Sequence, residues 1–559
     1  MAEKRGKRRW KYIIGLIGIL LIGFVLYFNL VTRIQPPTEL DPHQMGYERT
    51  QSGQGFFIDG ENWFKQNEFG LWELYITGSP LDLGVKNGLL TSELVRAQED
   101  AFVNQIRSMI PSQSYLRFLK YFLAWFNKDL DNHIKQEYLL EIYGVSAFAS
   151  EDYGFIGPRY DRILNYHAAH DIGHALQNLN LVECTAFGIW DERTADSSLL
   201  IGRNFDFYVG DEFAVNKIVS FVRPESGYKF ASIGWAGMIG VVSGMNEKGL
   251  SITLNSAKSD IPFGARTPVS IIAREILQYA STIDEAMEIA SARESFVSES
   301  FLIGSAIDHK TVVIEKSTEQ TVLFDPDTNF IVLANHFQSD ALVNIPLNRE
   351  NMNNLTSVYR HERVKELLQA EPVIDHFDAA DILRNRKGKA GKDIGNGNEL
   401  AINQLIAHHA IIFEPEKLRF WVSTAPWQLG PFLCYDLNEV FAYIEMETET
   451  YNKALEIPAD PFLNEQEYGN FLEFRLLAQQ IGESTKTATP LPEAGEIFRD
   501  LIKFNPEYYH TYALIGRYYQ EMEDHEAAMK YFNLALSKEI SSNTEKDNIR
   551  QWLEECRNP

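Results

Sequence analysis

The sequence predicts a mixed α/β (α+β) chain built on antiparallel sheets, with a helical segment at each end. Three observations predict it. Apolar runs of strand length recur in pairs across short polar turns, at 185–207, 232–257, 301–316 and 410–425. Stretches of helical spacing alternate with them, at 92–147 and 267–290. From about residue 486, Ala494, Phe498 and Leu501 recur 34 positions later as Ala528, Phe532 and Ala535, the period of a tetratricopeptide helix pair.

At 559 residues the chain has room for more than one domain. A net charge of −25 argues against a phosphate-backbone ligand, so no nucleic-acid partner is expected. Cys184, Cys434 and Cys556 are the only cysteines and make no CxxC pair, which excludes a disulfide scaffold and a zinc ribbon. No cofactor is expected.

The N-terminus opens with Lys4, Arg5, Lys7, Arg8, Arg9 and Lys11, and then Tyr12 to Thr32 carries no charge. At 1.5 Å per helical residue that run spans a hydrocarbon core of about 30 Å. The expectation is a single uncleaved membrane anchor over 1–32, with its basic flank cytoplasmic and the catalytic part on the periplasmic or extracellular side. Residues 33–69, with Pro36, Pro37 and Pro42, read as a linker.

Leu71–Leu90 carries the order Glu-Leu-x-x-x-Gly-Ser-Pro-x-x-x-Gly-x-x-x-Gly, which any strand–turn–helix could show. Between 92 and 147, Phe102, Ile106, Met109, Phe118, Tyr121 and Trp125 fall at helical spacing and read as core packing. His167, His170, Asp171 and His174 share a helix face. Neutral imidazoles with a carboxylate suit zinc or iron, but without a fourth ligand or an HExxH glutamate the plainer reading is a polar seam. No metal is assigned.

The stretch around which the chain is organised is Glu183–Phe207, ECTAFGIWDERTADSSLLIGRNFDF. Thr185–Trp190 reads as a strand, Asp191–Ser197 as a turn and Ser198–Phe207 as the returning strand. Cys184 thus heads one strand while Arg203 and Asp206 return on its neighbour. A thiol beside a cation and a carboxylate is the setting of a reactive thiolate. Further on, Asn246 belongs to the tight Asn-Glu-Lys-Gly turn, Ser281 or Thr282 caps a helix, and 329–337 is a strand ending in Ala-Asn-His-Phe. Cys434 reads as a small buried hydrophobe.

These segments, CTAF…GRNFDF, GMNEKGL…LN and ANHF, stand in the order found in the acyl-coenzyme A:6-aminopenicillanic acid acyl-transferase family of cysteine N-terminal-nucleophile (Ntn) hydrolases. The chain resembles that family over roughly 70–430, with choloylglycine hydrolases and acid ceramidases as more distant relatives. The resemblance implies a four-layer αββα sandwich. It also implies that Cys184 becomes an N-terminal nucleophile after cleavage of Glu183–Cys184, its amine taking the thiol proton. By the same resemblance Asp206 holds that amine, Arg203 orients it or the thiolate, and Asn255 and Asn335 donate to the oxyanion. The helix beginning Ser-x-x-Arg-x-x-Arg supplies an arginine, Arg360 first and Arg363 second, while His336 is structural or substrate-lining. One departure stands out: Glu183 precedes the cysteine where the penicillin-type enzyme has glycine.

The domains expected are 70–183 as the segment before the nucleophile, 184–440 as the catalytic segment, 441–485 as connecting helices and 486–559 as the tail. The function expected is hydrolysis or transfer of an acyl group at an amide or thioester of a small molecule. The alternatives are a metal-dependent hydrolase on the His167–His174 face and a membrane-tethered scaffold whose tail binds a protein partner.

Overall fold

The computed structural model describes residues 2–53, 55–58, 61–110, 112–168, 171, 182–207, 210–258, 264–442 and 448–558. Two sheets dominate. The larger runs β1 (Thr50–Ser52), β2 (Gly55–Ile58), β3 (Asn62–Gln66), β4 (Trp72–Gly78), β7 (Lys217–Pro224), β8 (Phe230–Trp235), β9 (Ser243–Asn246), β10 (Leu250–Ser256), β11 (Glu299–Ser305), β12 (Lys310–Lys316), β13 (Thr321–Phe324). The smaller runs β14 (Phe330–Leu333), β5 (Val182–Ile189), β6 (Leu200–Phe207), β15 (His409–Glu414), β16 (Arg419–Ser423), β17 (Phe432–Asp436). Neighbours are antiparallel except β4 and β7, which run parallel. That exception follows from the long excursion between them, since a parallel neighbour needs a crossover. The mixed α/β class and the four expected strand pairs are present.

Alternating apolar residues explain how the sheets stack. Ala186, Ile201, Leu333, Ile411 and Phe413 of the small sheet share one core with Val219, Phe221, Leu302 and Val313 of the large one. Each sheet's other face carries helices. Ile252, Leu254, Phe301 and Ile303 pack with Ile272 and Ile276 of helix Val269–Tyr279 and with Leu83 and Ile142. Phe187, Ile189 and Leu200 pack with Val364 and Leu368 of helix Thr356–Ala370.

Local chemistry sets the ends of these elements. Ser79 caps helix Pro80–Leu90 in a reciprocal box with Asp82, and Thr282 does the same with Glu285. In the β9–β10 turn the Asn246 side chain accepts from the Lys248 and Leu250 N–H groups and donates to Leu277 and Ala280 carbonyls. Gly249 closes that turn at φ +74. Helices Pro80–Leu90 and Gln136–Ser146 cross in backbone contact: a Cβ on Gly84 would meet the Glu141 carbonyl oxygen at 2.0 Å, and one on Gly144 the Val85 nitrogen at 2.6 Å.

Several expectations are corrected. The basic cluster and the apolar run lie on one helix, Ala2–Val31, and among the described residues no helix is long and apolar enough to cross a membrane. The single-pass anchor, the membrane as a partner and the placement of the catalytic part outside the cytoplasm are therefore not supported. The helix end packs on the chain itself, with the Phe28 ring 6.1 Å from Trp125 and 5.8 Å from Tyr121. Phe118, Tyr121 and Trp125 are exposed instead of filling a core, because helical spacing specifies a face and not what covers it. The stretch expected as a linker contains β1, β2 and β3.

The tail is a run of helices, Gln466–Thr487, Ala494–Phe504, Tyr509–Glu521, His525–Leu536 and Asn543–Arg557. Phe498, Leu501, Ala528, Phe532 and Ala535 are buried in it, and its apolar cluster also takes in Leu405 and Leu429 of the body. Asn396 N–H donates to the Asn505 side chain at 3.1 Å, Asn505 donates back to the Asn396 carbonyl at 2.8 Å, and the Tyr508 and Tyr509 hydroxyls donate to Glu399. The tail thus docks on its own chain, and a separate protein partner finds no support. Since the Gly84 contact is backbone on backbone, Gly84→Ala is expected to cost about 3 kcal/mol of unfolding free energy. Urea titrations of the variant and the parent measure it.

Candidate active site

Strands β5 and β6 pair with Glu183 opposite Asp206, Cys184 opposite Phe205 and Ala186 opposite Arg203. Alternation puts Cys184 and Arg203 on the face toward the large sheet, and Glu183, Thr185 and Asp206 on the face toward the helices. The Glu183–Cys184 peptide is therefore approached by thiol chemistry from one side and carboxylate chemistry from the other.

On the inner side, Cys184 is fully buried and its Sγ lies 3.4 Å from Arg203 Nη2. Arg203 is itself fully buried and ties the two sheets together. It donates to the Leu254 carbonyl of β10 and, through Nη1, to Ser243 Oγ of β9 at 2.9 Å, with its guanidinium over the Phe205 ring. Burial pushes the Cys184 thiol up to about 11, with Arg203 pulling the other way. This sulfur is accordingly a protonated thiol at neutral pH.

Arg360, on helix Thr356–Ala370, gathers the other side. Its Nη1 donates to the Cys184 carbonyl at 2.6 Å and to Thr185 Oγ1 at 2.7 Å. Its Nη2 donates to Asn335 Oδ1 at 2.9 Å and reaches the Glu183 carboxylate at 3.1 Å. Asn335 Oδ1 also accepts the Cys184 backbone N–H at 2.8 Å. A fully buried guanidinium needs partners, and here both terminal nitrogens find them among Glu183, Cys184, Thr185 and Asn335, while Nε has none among the described residues.

The other expected residues divide. Asn335 lies just beyond β14, and its amide donates to the Ser256 carbonyl and hydroxyl. Asn255, on β10, donates at 3.4 and 3.2 Å to the Leu333 and Ala334 carbonyls and leaves its Oδ1 unpartnered among the described residues. The NH2 groups of both asparagines are thus engaged away from Cys184. Asp206 is buried with no hydrogen-bond partner for either carboxylate oxygen among the described residues, and burial raises it to about 7 despite Arg360 and Arg203 nearby. Arg363, the second choice, turns away to Glu366 and Asn385. His336 is held by Ser357 Oγ at 2.7 Å, and burial pushes its imidazolium down to about 3, so it is neutral. His167 uses both ring nitrogens, toward the Ile163 carbonyl and the Ile239 N–H, and Asp171 accepts from the Val269 N–H. His170 and His174 lie outside the described residues, and among those described no group of three potential metal ligands occurs.

Other residues at the site were not singled out from the sequence. Ser243 passes from Arg203 to His409 Nε2 at 2.9 Å, and His409 meets His408. Gln404 donates to Glu183 at 3.0 Å, and Ser357 accepts from the Asn335 N–H. Paired histidines opening a strand were the one visible signal. Ser357 opens the Ser-x-x-Arg-x-x-Arg run but was given no role there, and the Gln404 contact bridges distant parts of the chain and left no signal.

Residues 193–423 match the family described as acyl-coenzyme A:6-aminopenicillanic acid acyl-transferase. The match covers that segment alone, less than half of the chain. Arg203, Asp206, Asn255, Asn335 and Arg360 fall inside the acyl-transferase match, while Cys184 precedes it. Among curated relatives, a protein of Archaeoglobus fulgidus is 24% identical over 250 residues, 42% of this chain and 41% of that one. Protein dcd1A of Dictyostelium discoideum is 24% identical over 288 residues, 47% and 62% of the respective chains. The chain thus spans about two fifths to three fifths of these relatives. Among solved structures, a Caenorhabditis elegans ortholog of N-acylethanolamine-hydrolyzing acid amidase aligns at 17% identity and a TM-score of 0.31, covering 42% of this chain and 93% of that one. A mutant conjugated bile acid hydrolase from Clostridium perfringens aligns at 18% and 0.31, covering 48% and 96%. The acyl-transferase match ends before the tail, and the tetratricopeptide assignment of 486–559 is not supported.

Asp206 gives a pH test. Its folded-state value near 7 lies above the ordinary 3.8, so its contribution to stability is whole below about pH 4 and lost as pH rises through about 7. The gap corresponds to about 4 kcal/mol. Denaturant titrations are expected to show Asp206→Asn gaining on the parent by that order between pH 4 and pH 7.5.

Proposed function

We propose that the chain is a cysteine Ntn hydrolase or acyl-transferase that acts on an amide or thioester of a small molecule and matures by cutting Glu183–Cys184. The observation that carries the reading is the convergence of Arg203 on the Cys184 sulfur, Asn335 on its nitrogen and Arg360 on its carbonyl. The two sheets with helices on their outer faces are read, in keeping with this, as the four-layer αββα sandwich.

In maturation Cys184 Sγ attacks the Glu183 carbonyl carbon. The C–N bond breaks, the nitrogen takes the proton, and water hydrolyses the resulting thioester. The freed amine, with an ordinary value of about 7.7–8.0, can then take the thiol proton that burial makes hard to lose. In this reading Asp206, opposite Glu183 on β6, holds the ammonium. Attack on a substrate carbonyl gives a tetrahedral oxyanion, for which Asn255 and Asn335 are the side-chain donors at hand once their amides turn from the partners they hold in the uncut chain. The acyl-enzyme is released to water or to an amine.

Intact mass and N-terminal sequencing test the reading. The parent is expected to yield fragments meeting at Glu183–Cys184 and Cys184→Ala to remain one chain; an intact parent would overturn the maturation step. In the cut enzyme, Asn335→Ala is expected to lower kcat by about 10²–10³-fold, measured on whichever amide is turned over.

A further inference from the structure

Glu183 stands on the acyl side of the bond proposed to be cut, and its side chain is already docked. One carboxylate oxygen sits 3.1 Å from Arg360 Nη2 and accepts from Gln404 Nε2 at 3.0 Å. Arg360 is fully buried and Gln404 is 2% exposed. A glutamate before the nucleophile is thus held by a buried cation and an amide donor, the pairing with which proteins recognise a carboxylate.

The chemistry of maturation gives this contact a meaning. Attack by Cys184 Sγ forms a C–S bond to the Glu183 carbonyl carbon, breaks the C–N bond and moves the thiol proton to nitrogen. The product is an α-glutamyl thioester. Its carbonyl carbon is joined to a terminal carboxylate through Cα, Cβ and Cγ, the skeleton of a glutaryl group. The first acyl-enzyme this site ever holds therefore carries its carboxylate on Arg360 and Gln404. Water then adds to the thioester, sulfur recovers a proton, and the departure of the strand end leaves a buried guanidinium without that anion.

We infer that the mature enzyme takes acyl groups ending in a carboxylate at about glutaryl reach, bound by Arg360 and Gln404 where Glu183 sat. The inference rests on the proposed nucleophile and deepens it by naming the substrate class: amides or thioesters of a short dicarboxylic acid, acylated through one end.

The test compares kcat/KM for glutaryl-p-nitroanilide and pentanoyl-p-nitroanilide on the full chain, normalised to the fraction cut before Cys184 by intact mass. The parent is expected to prefer the glutaryl compound by at least about tenfold, the order expected of one charge-assisted hydrogen bond. That ratio is expected to fall about tenfold in Gln404→Leu and to tip toward the neutral compound in Gln404→Glu, which repels the carboxylate. Equal rates on the parent, or a preference kept in both variants, would overturn the subsite while turnover of the neutral anilide leaves the hydrolase standing. A cut chain that turns over neither compound removes the hydrolase reading, and this inference with it.

Discussion

A charge closed off from water needs partners around it, and Arg360 finds them through its two terminal nitrogens. Its partners are Glu183, Cys184 and Thr185 of β5 and Asn335 at the end of β14. Removing one partner of a buried ion costs several kcal/mol, because the charge is stranded. The helix Thr356–Ala370, the course of β5 and the orientation of Asn335 are therefore fixed together. Arg363, one turn along the same helix, has the partially exposed Glu366 to satisfy it and constrains none of them.

Arg203 plays a parallel part between the sheets. Sheet-on-sheet packing is normally a matter of apolar side chains, and here one buried cation crosses it to reach Ser243 and the Leu254 carbonyl. The sulfur of Cys184 lies against that bridge. Its reactivity is thus tied to the seating of one sheet on the other, and burial outweighs the cation's pull on the thiol. This is the opposite balance to an exposed reactive cysteine, whose thiolate forms because a cation wins.

Much of this architecture was legible in the residues. The strand–turn–strand at 185–207, the Asn246 turn and the Thr282 cap follow from local rules that act over a few positions. The preference for Arg360 over Arg363 came with the family resemblance, and the site's geometry is in keeping with it. Other features escaped because their causes are not local. Phe118, Tyr121 and Trp125 have the spacing of a core face, yet nothing in the spacing says what would bury them. The basic residues and the apolar run share one helix where a separate span was expected. The line from Arg203 through Ser243 to His409 joins three strands that are far apart in the chain, and Gln404 reaches Glu183 across more than two hundred residues.

The docking of the tail bears on the segment that carries Gln404. Gln404 leaves a segment whose earlier residues, Asn396 and Glu399, are gripped by Asn505, Tyr508 and Tyr509. The contact between Gln404 and Glu183, which spans 221 residues, thus leans on a second one that spans 109, so a change in the tail's packing reaches the residue before Cys184 without touching it.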